Sequence, residues 1–339
     1  MIDAFEIKHI GQEFGIDSIK ITTAEPFSDA ASRIAQQRDA GLYLNREYWY
    51  HRRIQDFCNA RSALPNARSI IIACQCYLTD EDITEGTPGH PRGIVARYTW
   101  RNYYKDLRQR LRKLAAVLEG KHSAHCVVYV NGNLAEKPIA QRSGIGYYGK
   151  NSIIINTQFG SWTVLGEIVT DADIGPDTPS HENCGACTTC IESCPTKAII
   201  EPYIIDRRLC IQALTNWYGV LPDSIARAWG NRLYGCTTCQ DLCPANRAVI
   251  ALPPRTDTGY VGPAIPLLEL LSMHETQYRE TYADNQITAR WVDFRAIQRN
   301  ATIALGHIRD PKTLPMIQTL TRHEDEVIAR SARWAIDNF

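Results

Sequence analysis

The sequence predicts three consecutive units: an α/β domain over residues 1–172, a compact cysteine-rich module over 173–252 and an α-helical tail over 263–339. Three observations carry the prediction. Short β-branched apolar runs alternate with helical patterns through the first half. Eight of the twelve cysteines crowd between Cys184 and Cys243. Beyond the proline- and glycine-dense stretch 253–263 the apolar residues fall at helical spacing.

In the first unit, strands are expected at 69–77, 126–130, 152–155 and 162–165, with a helix over 103–118. The run Ser69-Ile-Ile-Ile-Ala-Cys-Gln-Cys-Tyr77 is apolar almost throughout, as a buried strand is. Cys74 and Cys76 within it read as core residues, since a free thiol packs as a small hydrophobe. Gly144-Ile-Gly146 and Gly149 mark turns. In the tail, Ser272-Met-His-Glu275 has the form of a capping box and predicts a helix start. Amphipathic helices are expected at 294–308, 312–320 and 325–336. The segment Arg299-Asn-Ala-Thr-Ile-Ala-Leu-Gly306 is echoed about thirty residues on by Arg330-Ser-Ala-Arg-Trp-Ala-Ile336, as in HEAT-like repeats.

The 339 residues carry 37 basic and 37 acidic side chains, so no net field draws the chain to nucleic acid or to an anionic membrane. No apolar run approaches the ~20 residues of a membrane span. The segment Met1-Ile-Asp-Ala-Phe-Glu-Ile-Lys8 lacks the basic start and apolar core of a signal peptide. A cytoplasmic, monomeric protein without membrane contact is expected. In a reducing compartment, twelve cysteines point to metal rather than to disulfides.

Their spacing says which metal. Cys184-x2-Cys187-x2-Cys190-x3-Cys194-Pro195 is the run of a bacterial ferredoxin, and Cys236-x2-Cys239-x3-Cys243-Pro244 is a second copy short of one member. Thiolates two residues apart wrap one cubane, and the cysteine before proline reaches the other cluster. Ligand counting then assigns Cys184, Cys187, Cys190 and Cys243 to one [4Fe-4S] cluster. The second takes Cys194, Cys236, Cys239 and Cys210, which lies between the two runs. Zinc in all-thiolate sites is the alternative, but zinc does not need the trailing Cys-Pro. Two clusters make an electron wire fed by an external low-potential donor. Its terminus is a flavin, a corrinoid, another protein or a substrate, and composition does not choose among them.

Several longer motifs resemble one family, the cobalamin-dependent epoxyqueuosine reductases of tRNA modification, over nearly the whole chain. They are Arg232-Leu-Tyr-Gly-Cys-Thr-Thr-Cys-Gln-Asp-Leu-Cys-Pro-Ala-Asn246, Gly144-Ile-Gly-Tyr-Tyr-Gly-Lys-Asn151, Gly160-Ser-Trp-Thr-Val-Leu-Gly-Glu167, Arg299-Asn-Ala and Cys210-Ile-Gln-Ala-Leu-Thr215. The resemblance implies a base-off cobalamin between the N-terminal domain and the clusters, which reduce it to the Co(I) state. It implies cofactor contacts at Ile154 and Leu165, and removal of an epoxide oxygen from a cyclopentane ring on the anticodon wobble base.

The substrate half departs from that pattern. The family's general acid is an aspartate heading Asp-Ser/Thr-x-x-x-x-Glu/Asp-Arg/Lys. Counting back from Gly144 without gaps puts Val130 there, in Val130-Asn-Gly-Asn-Leu-Ala-Glu-Lys137, and a one-residue slip puts Asn131. Neither carries an acidic proton, and general acid catalysis is worth ~10²–10⁴ in rate. Tyr103 and Lys105 stand at the aspartate and histidine of the family's Gly-x-Asp-Tyr-His. Phe57 and Ala60 stand at its Arg-x-x-Pro. Glu136, Lys105 and Tyr147 are the substitute acids to weigh, with an ion pair to Lys137 or Arg142 as the structural role for Glu136.

Three readings follow: an epoxyqueuosine reductase with a substitute acid, a paralogue using the same cofactors on another substrate, or a non-catalytic electron-transfer protein. The tail is rich in arginine, with Arg290, Arg295, Arg299, Arg309, Arg322, Arg330 and Arg333. Contact with tRNA phosphates is expected through Arg295, Arg299 and Arg330.

Overall fold

The structure is a computed structural model that describes residues 2–44, 53–83 and 86–339. Its main strands are β1 (Ser18–Thr23), β2 (Ser69–Cys76), β3 (Arg92–Val95), β4 (Cys126–Tyr129), β5 (Thr163–Thr170), β6 (Arg232–Tyr234) and β7 (Ala264–Pro266). Four of them form an antiparallel sheet in the order β1-β2-β5-β4. β2 is buried at every position, as its almost wholly apolar run demands of a strand covered on both faces. The strand expected at 162–165 runs on to Thr170, and β1 was not foreseen.

The N-terminal helices are α1 (Ala4–Glu13), α2 (Ser28–Asp39), α3 (Tyr103–His122) and α4 (Glu136–Ser143). Helices α1 and α3 pack against each other on one face of the sheet, and α4 packs on β1, β2 and β5. Alternation along β2 separates the two sides. Gln75 donates from Nε2 to Asp106 of α3 at 2.6 Å, whereas Cys74 lies against Asn156, whose Nδ2 donates to Ile145 O just beyond α4. Cys74 and Cys76 are both core residues here.

A second, three-stranded sheet has the order β6-β3-β7, with β6 parallel and β7 antiparallel to β3. It takes one strand from each expected unit, so the units interlock.

In the cysteine module, α5 (Thr189–Ser193) and α6 (Thr238–Asp241) pack together. Each holds the later cysteine of a Cys-x2-Cys pair.

The tail contains α7 (Phe294–Ile308), α8 (Leu314–Leu320) and α9 (Glu326–Asp337). The echoed segments are the faces on which α7 and α9 meet. Ala301, Ala304, Ala332 and Ala335 are all buried there, and small residues let the two backbones approach. The capping box falls elsewhere than expected. Ser272 ends the preceding helix, Leu267–Ser272, because Leu267, Leu270 and Leu271 form a buried stripe that carries the helix through it. His274 and Gln277 make the reciprocal cap of Glu275–Thr281 instead. Among the described residues no helix is long and apolar enough to cross a membrane.

Candidate functional site

The eight thiols gather in two groups of four. Around Cys190 stand Cys184, Cys187 and Cys243, which with burial raise its pKa; around Cys239 stand Cys236, Cys210, Cys190 and Cys194. Cys210 begins the short helix Ile211–Leu214 and faces Cys236. Several sulfurs meet a polar group two or four residues on. Thr189, Thr196 and Thr238 hydroxyls lie 3.4, 3.9 and 3.5 Å from Cys187, Cys194 and Cys236, and the Ala198 N–H donates to Cys194 at 3.2 Å. The Thr189 contacts hold the Cys187 thiol below its usual range, toward the thiolate that binds metal. Among the described residues no three cysteine, histidine or acidic side chains converge on the point a single ion would occupy. A cubane spreads its four ligands more widely.

Motif residues that bear no sulfur fasten this module to the sheet. Gln240 donates from Nε2 to Tyr77 Oη and to Ser161 O, both at 2.9 Å. Asn246 donates from Nδ2 to Ser161 Oγ at 2.8 Å and accepts the Ser161 N–H at 2.8 Å. Gly160 makes room for this clamp: it has φ 55°, and a Cβ there would come within 2.1 Å of Asn246 Oδ1.

Beside the second thiol group lies a cleft. Tyr98, Tyr104 and Glu136 along it are half-buried, and Lys137 at its edge is exposed. Tyr98 faces Cys236, and Lys137 faces Arg207, Cys210 and Cys239. The protein gathered around it and then Arg207 lower Lys137 to about 8 although its side chain reaches solvent, and its Nζ donates to Ser152 O at 2.7 Å. Burial raises Tyr104, with Tyr98, Tyr77 and Glu136 adding to the rise. Burial also raises Glu136 to about 7, against the backbone N–H groups of Asn131 and Gly132 and the charges of Lys137 and Arg108. Glu167 lies deeper, on the strand face shared with Leu165, and is fully buried.

Val130 takes no part in this cleft. Tyr129 pairs with Glu167, so the next side chain points to the opposite face. There Val130 is 0% exposed, and a Cβ on Gly166 would lie 2.7 Å from its Cγ2 and 2.8 Å from Leu111 of α3. The chain then turns at Asn131, with φ 49°. Lys105 points away as well, to an ion pair with Asp284 at 2.8 Å in the C-terminal part. Tyr147 stands beside Cys184, Cys243 and Cys187, at the first thiol group. Of the three substitute acids, Glu136 alone is in the cleft. Its partners include Lys137 but not Arg142, which hydrogen-bonds Thr22, Thr23 and Glu25. Ile154 and Leu165, 3% and 8% exposed, are core residues beneath it.

Arg299 overturns its expected role at RNA. It is 0% exposed and donates to Leu214 O at 2.7 Å, Trp217 O at 2.7 Å and Gly219 O at 3.0 Å. A guanidinium spent on the carbonyls closing the Cys210 helix cannot reach phosphate. Arg295 pairs with Asp293 at 2.7 Å, and Arg330 is exposed. A surface depression of about 630 Å³ lined by Glu6, His122 and Asp171 lies past the far end of β5, away from the thiols. Tyr104 and Glu167 escaped the sequence reading as site residues. Tyr104 lies between Tyr103 and Lys105, and Glu167 ends the Gly160-Ser-Trp-Thr-Val-Leu-Gly-Glu167 motif, so the sequence held a signal for both.

Residues 183–246 match the family model described as a 4Fe-4S double cluster binding domain, and residues 58–131 match that described as Epoxyqueuosine reductase QueG, DUF1730. The chain is thus an iron–sulfur protein whose double-cluster module is joined to an α/β domain. An epoxyqueuosine reductase of Staphylococcus aureus is 34% identical over 333 residues, 95% of this chain and 85% of the relative. A crystal structure of epoxyqueuosine reductase with an epoxyqueuosine-modified tRNA-Tyr stem loop aligns with a TM-score of 0.90 at 32% identity, covering 98% of this chain and 89% of that one. The Bacillus subtilis enzyme, solved with its catalytic aspartate loop swung out of the active site, aligns with the same score, identity and coverage. This chain belongs to the epoxyqueuosine reductase family.

Proposed function

We propose that this protein reduces epoxyqueuosine in tRNA to queuosine, a two-electron deoxygenation. The observation that carries the reading is the clamp of Gln240 and Asn246 on Ser161, which fixes two groups of four thiols against a half-enclosed cleft. Cys184, Cys187, Cys190 and Cys243 would hold one [4Fe-4S] cluster, and Cys194, Cys210, Cys236 and Cys239 the other. A cobalamin suits the cleft. Ile154 and Leu165 offer it an apolar floor, Tyr98, Tyr104 and Lys137 a polar rim, and the second thiol group borders it. When bound, the corrinoid supplies a low-potential metal centre for a reduction that side chains cannot perform.

In this reading residues 1–172 bear the cleft, 173–252 the clusters and 263–339 a HEAT-like tail. The protein works as a cytoplasmic monomer fed by an external low-potential donor, and exposed Arg330 contributes to tRNA contact. A different substrate is favoured by one observation, the burial of Val130 where the family has its acid. The test is anaerobic reconstitution with iron, sulfide and cobalamin, then epoxyqueuosine-containing tRNA and a strong reductant. Queuosine formation read by nucleoside mass is expected. A fully loaded protein that leaves the epoxide intact would overturn the reading.

A further inference from the structure

Glu167 is a carboxyl in the wrong place for structure alone. It occupies the middle of β5 and is 0% exposed, and among the described residues neither of its oxygens has a hydrogen-bond partner. An ionised carboxylate is untenable there, so the group carries its proton. Its direction follows from the strand. Gly166 faces Leu111 and Val130 on the α3 side, so Glu167 faces the α4 side, as Ile72 does in the register opposite. Glu136 lies on that side in the first turn of α4, and the two carboxyls interact: Glu136 raises Glu167 further. Glu136, unlike Glu167, opens to the cleft and is held in place by the Asn131 N–H donating to its Oε1. The other charged or titratable groups facing Glu136 are Lys137, Arg108 and Tyr104.

We propose that Glu136 and Glu167 form the proton store of this enzyme, with Glu136 donating to the substrate oxygen and Glu167 resupplying it from behind. The inference rests on the reductase reading above. Deoxygenating an epoxide breaks two C–O bonds, forms one C=C bond and releases the oxygen as water. That consumes two electrons, from the external low-potential donor through the clusters, and two protons. Two neighbouring carboxylic acids carry two protons, and solvent at the cleft restores both afterwards. Glu136 is then the catalytic residue, and Glu167 a positioning residue that acts through it. The pair supplies what Val130 cannot.

The test uses reconstituted holoenzyme as wild type, Glu136→Gln, Glu136→Asp and Glu167→Gln. Each is assayed on epoxyqueuosine-containing tRNA and titrated by infrared difference spectroscopy, which sees protonated carboxyls without substrate. Glu136→Gln should lower kcat by about a hundredfold with KM little changed, and Glu136→Asp should recover part of the loss. A protonated-carboxyl band should persist in wild type above pH 7, vanish in Glu167→Gln, and titrate at lower pH in Glu136→Gln, where the neighbouring negative charge is gone. Glu136→Gln within about threefold of wild type, or a band unchanged in Glu167→Gln, would overturn the proposal. A wild type that converts no epoxyqueuosine sinks the substrate assignment. The infrared titration then still decides the pair, and a band lost by about pH 5 overturns it.

Discussion

Replacing Arg299 with methionine should loosen the second thiol group and leave RNA binding intact. Arg299 sits at the C-terminal end of the Ile211–Leu214 helix, whose N-terminal boundary is Cys210. Its guanidinium donates to Leu214 O at the helix end, to Trp217 O and Gly219 O in the turn beyond and to Asn300 Oδ1 at 2.6 Å; of these, Leu214 O also accepts the Trp217 N–H at 3.1 Å. Methionine fills much of the volume but donates nothing. An orphaned buried carbonyl costs about 1–3 kcal/mol, and water can reach those of the half-buried Trp217 and Gly219 in part. Removing the buried cation returns some of its desolvation cost. The balance is a loss of roughly 3 kcal/mol. For a cooperative unit of the size of the cluster module plus tail, that lowers the apparent Tm by roughly 6–12 °C. The assay is a thermal scan followed at the cluster absorbance, with iron release to a chelator as a second reading. Release should quicken for half of the iron, the half held with Cys210. A variant with unchanged Tm and iron retention but a shallower salt dependence of tRNA binding would refute the reasoning, since it would put Arg299 on phosphate.

Cys210→Ser should lower bound iron from about eight atoms to about four per chain, while Cys126→Ser leaves it unchanged. Iron analysis of anaerobic protein reads this, and full iron in Cys210→Ser would place the ligand elsewhere. Val130→Asp should destabilise the protein by roughly 3 kcal/mol or more rather than restore an acid, because the side chain faces Leu111 and Gly166 in the core. Denaturant midpoints decide, and an unchanged midpoint would show that the segment had turned outward. Glu136 also sets a pH dependence. Its folded pKa of about 7 exceeds the ordinary 4.5, so the stability it lends is complete below about pH 4.5 and lost as pH rises through 7. The stability of Glu136→Gln relative to wild type should therefore grow across that window. The gain is at most roughly 3 kcal/mol, less what the solvent at Glu136 screens. A difference flat in pH would mean Glu136 is not held neutral.

What was legible in the sequence was what spacing alone determines. Cys-x2-Cys-x2-Cys and the trailing Cys-Pro fix which thiols can share a centre, and the almost wholly apolar run of β2 fixes a doubly covered strand. The tail helices followed from periodicity, and the structure adds their caps, Asp293, Asp310 and Asp325. Direction was not legible. Aligning Val130 with a catalytic position says nothing of which face of β4 it continues, and one residue of alternation separates the cleft from the core. Arg299 misled for a similar reason. Its type suggests phosphate, and only the packing of α7 over the Cys210 helix shows that its donors are already used. β3 was invisible because its partners, β6 and β7, lie more than a hundred residues away in sequence.

These errors share a cause that bears on how the protein works. The residues that proved least readable, Arg299, Asn300, Gln240 and Asn246, all join one expected unit to another. Asn300 donates to Thr215 O at 3.0 Å and Leu233 O at 2.9 Å, tying the tail to both flanks of the second thiol group. Gln240 and Asn246 tie that same group to Ser161 at the head of β5, the strand that bears Leu165 and Glu167. The second thiol group is thus held from two directions by buried amide and guanidinium bonds, which tolerate little displacement before a polar group is left unpaired. Its separation from the cleft is thereby fixed by the fold. Electron delivery and the proton store at Glu136 and Glu167 then meet at one rigid strand, β5, and substitutions at these clamps should impair reduction while every cysteine and both glutamates remain in place.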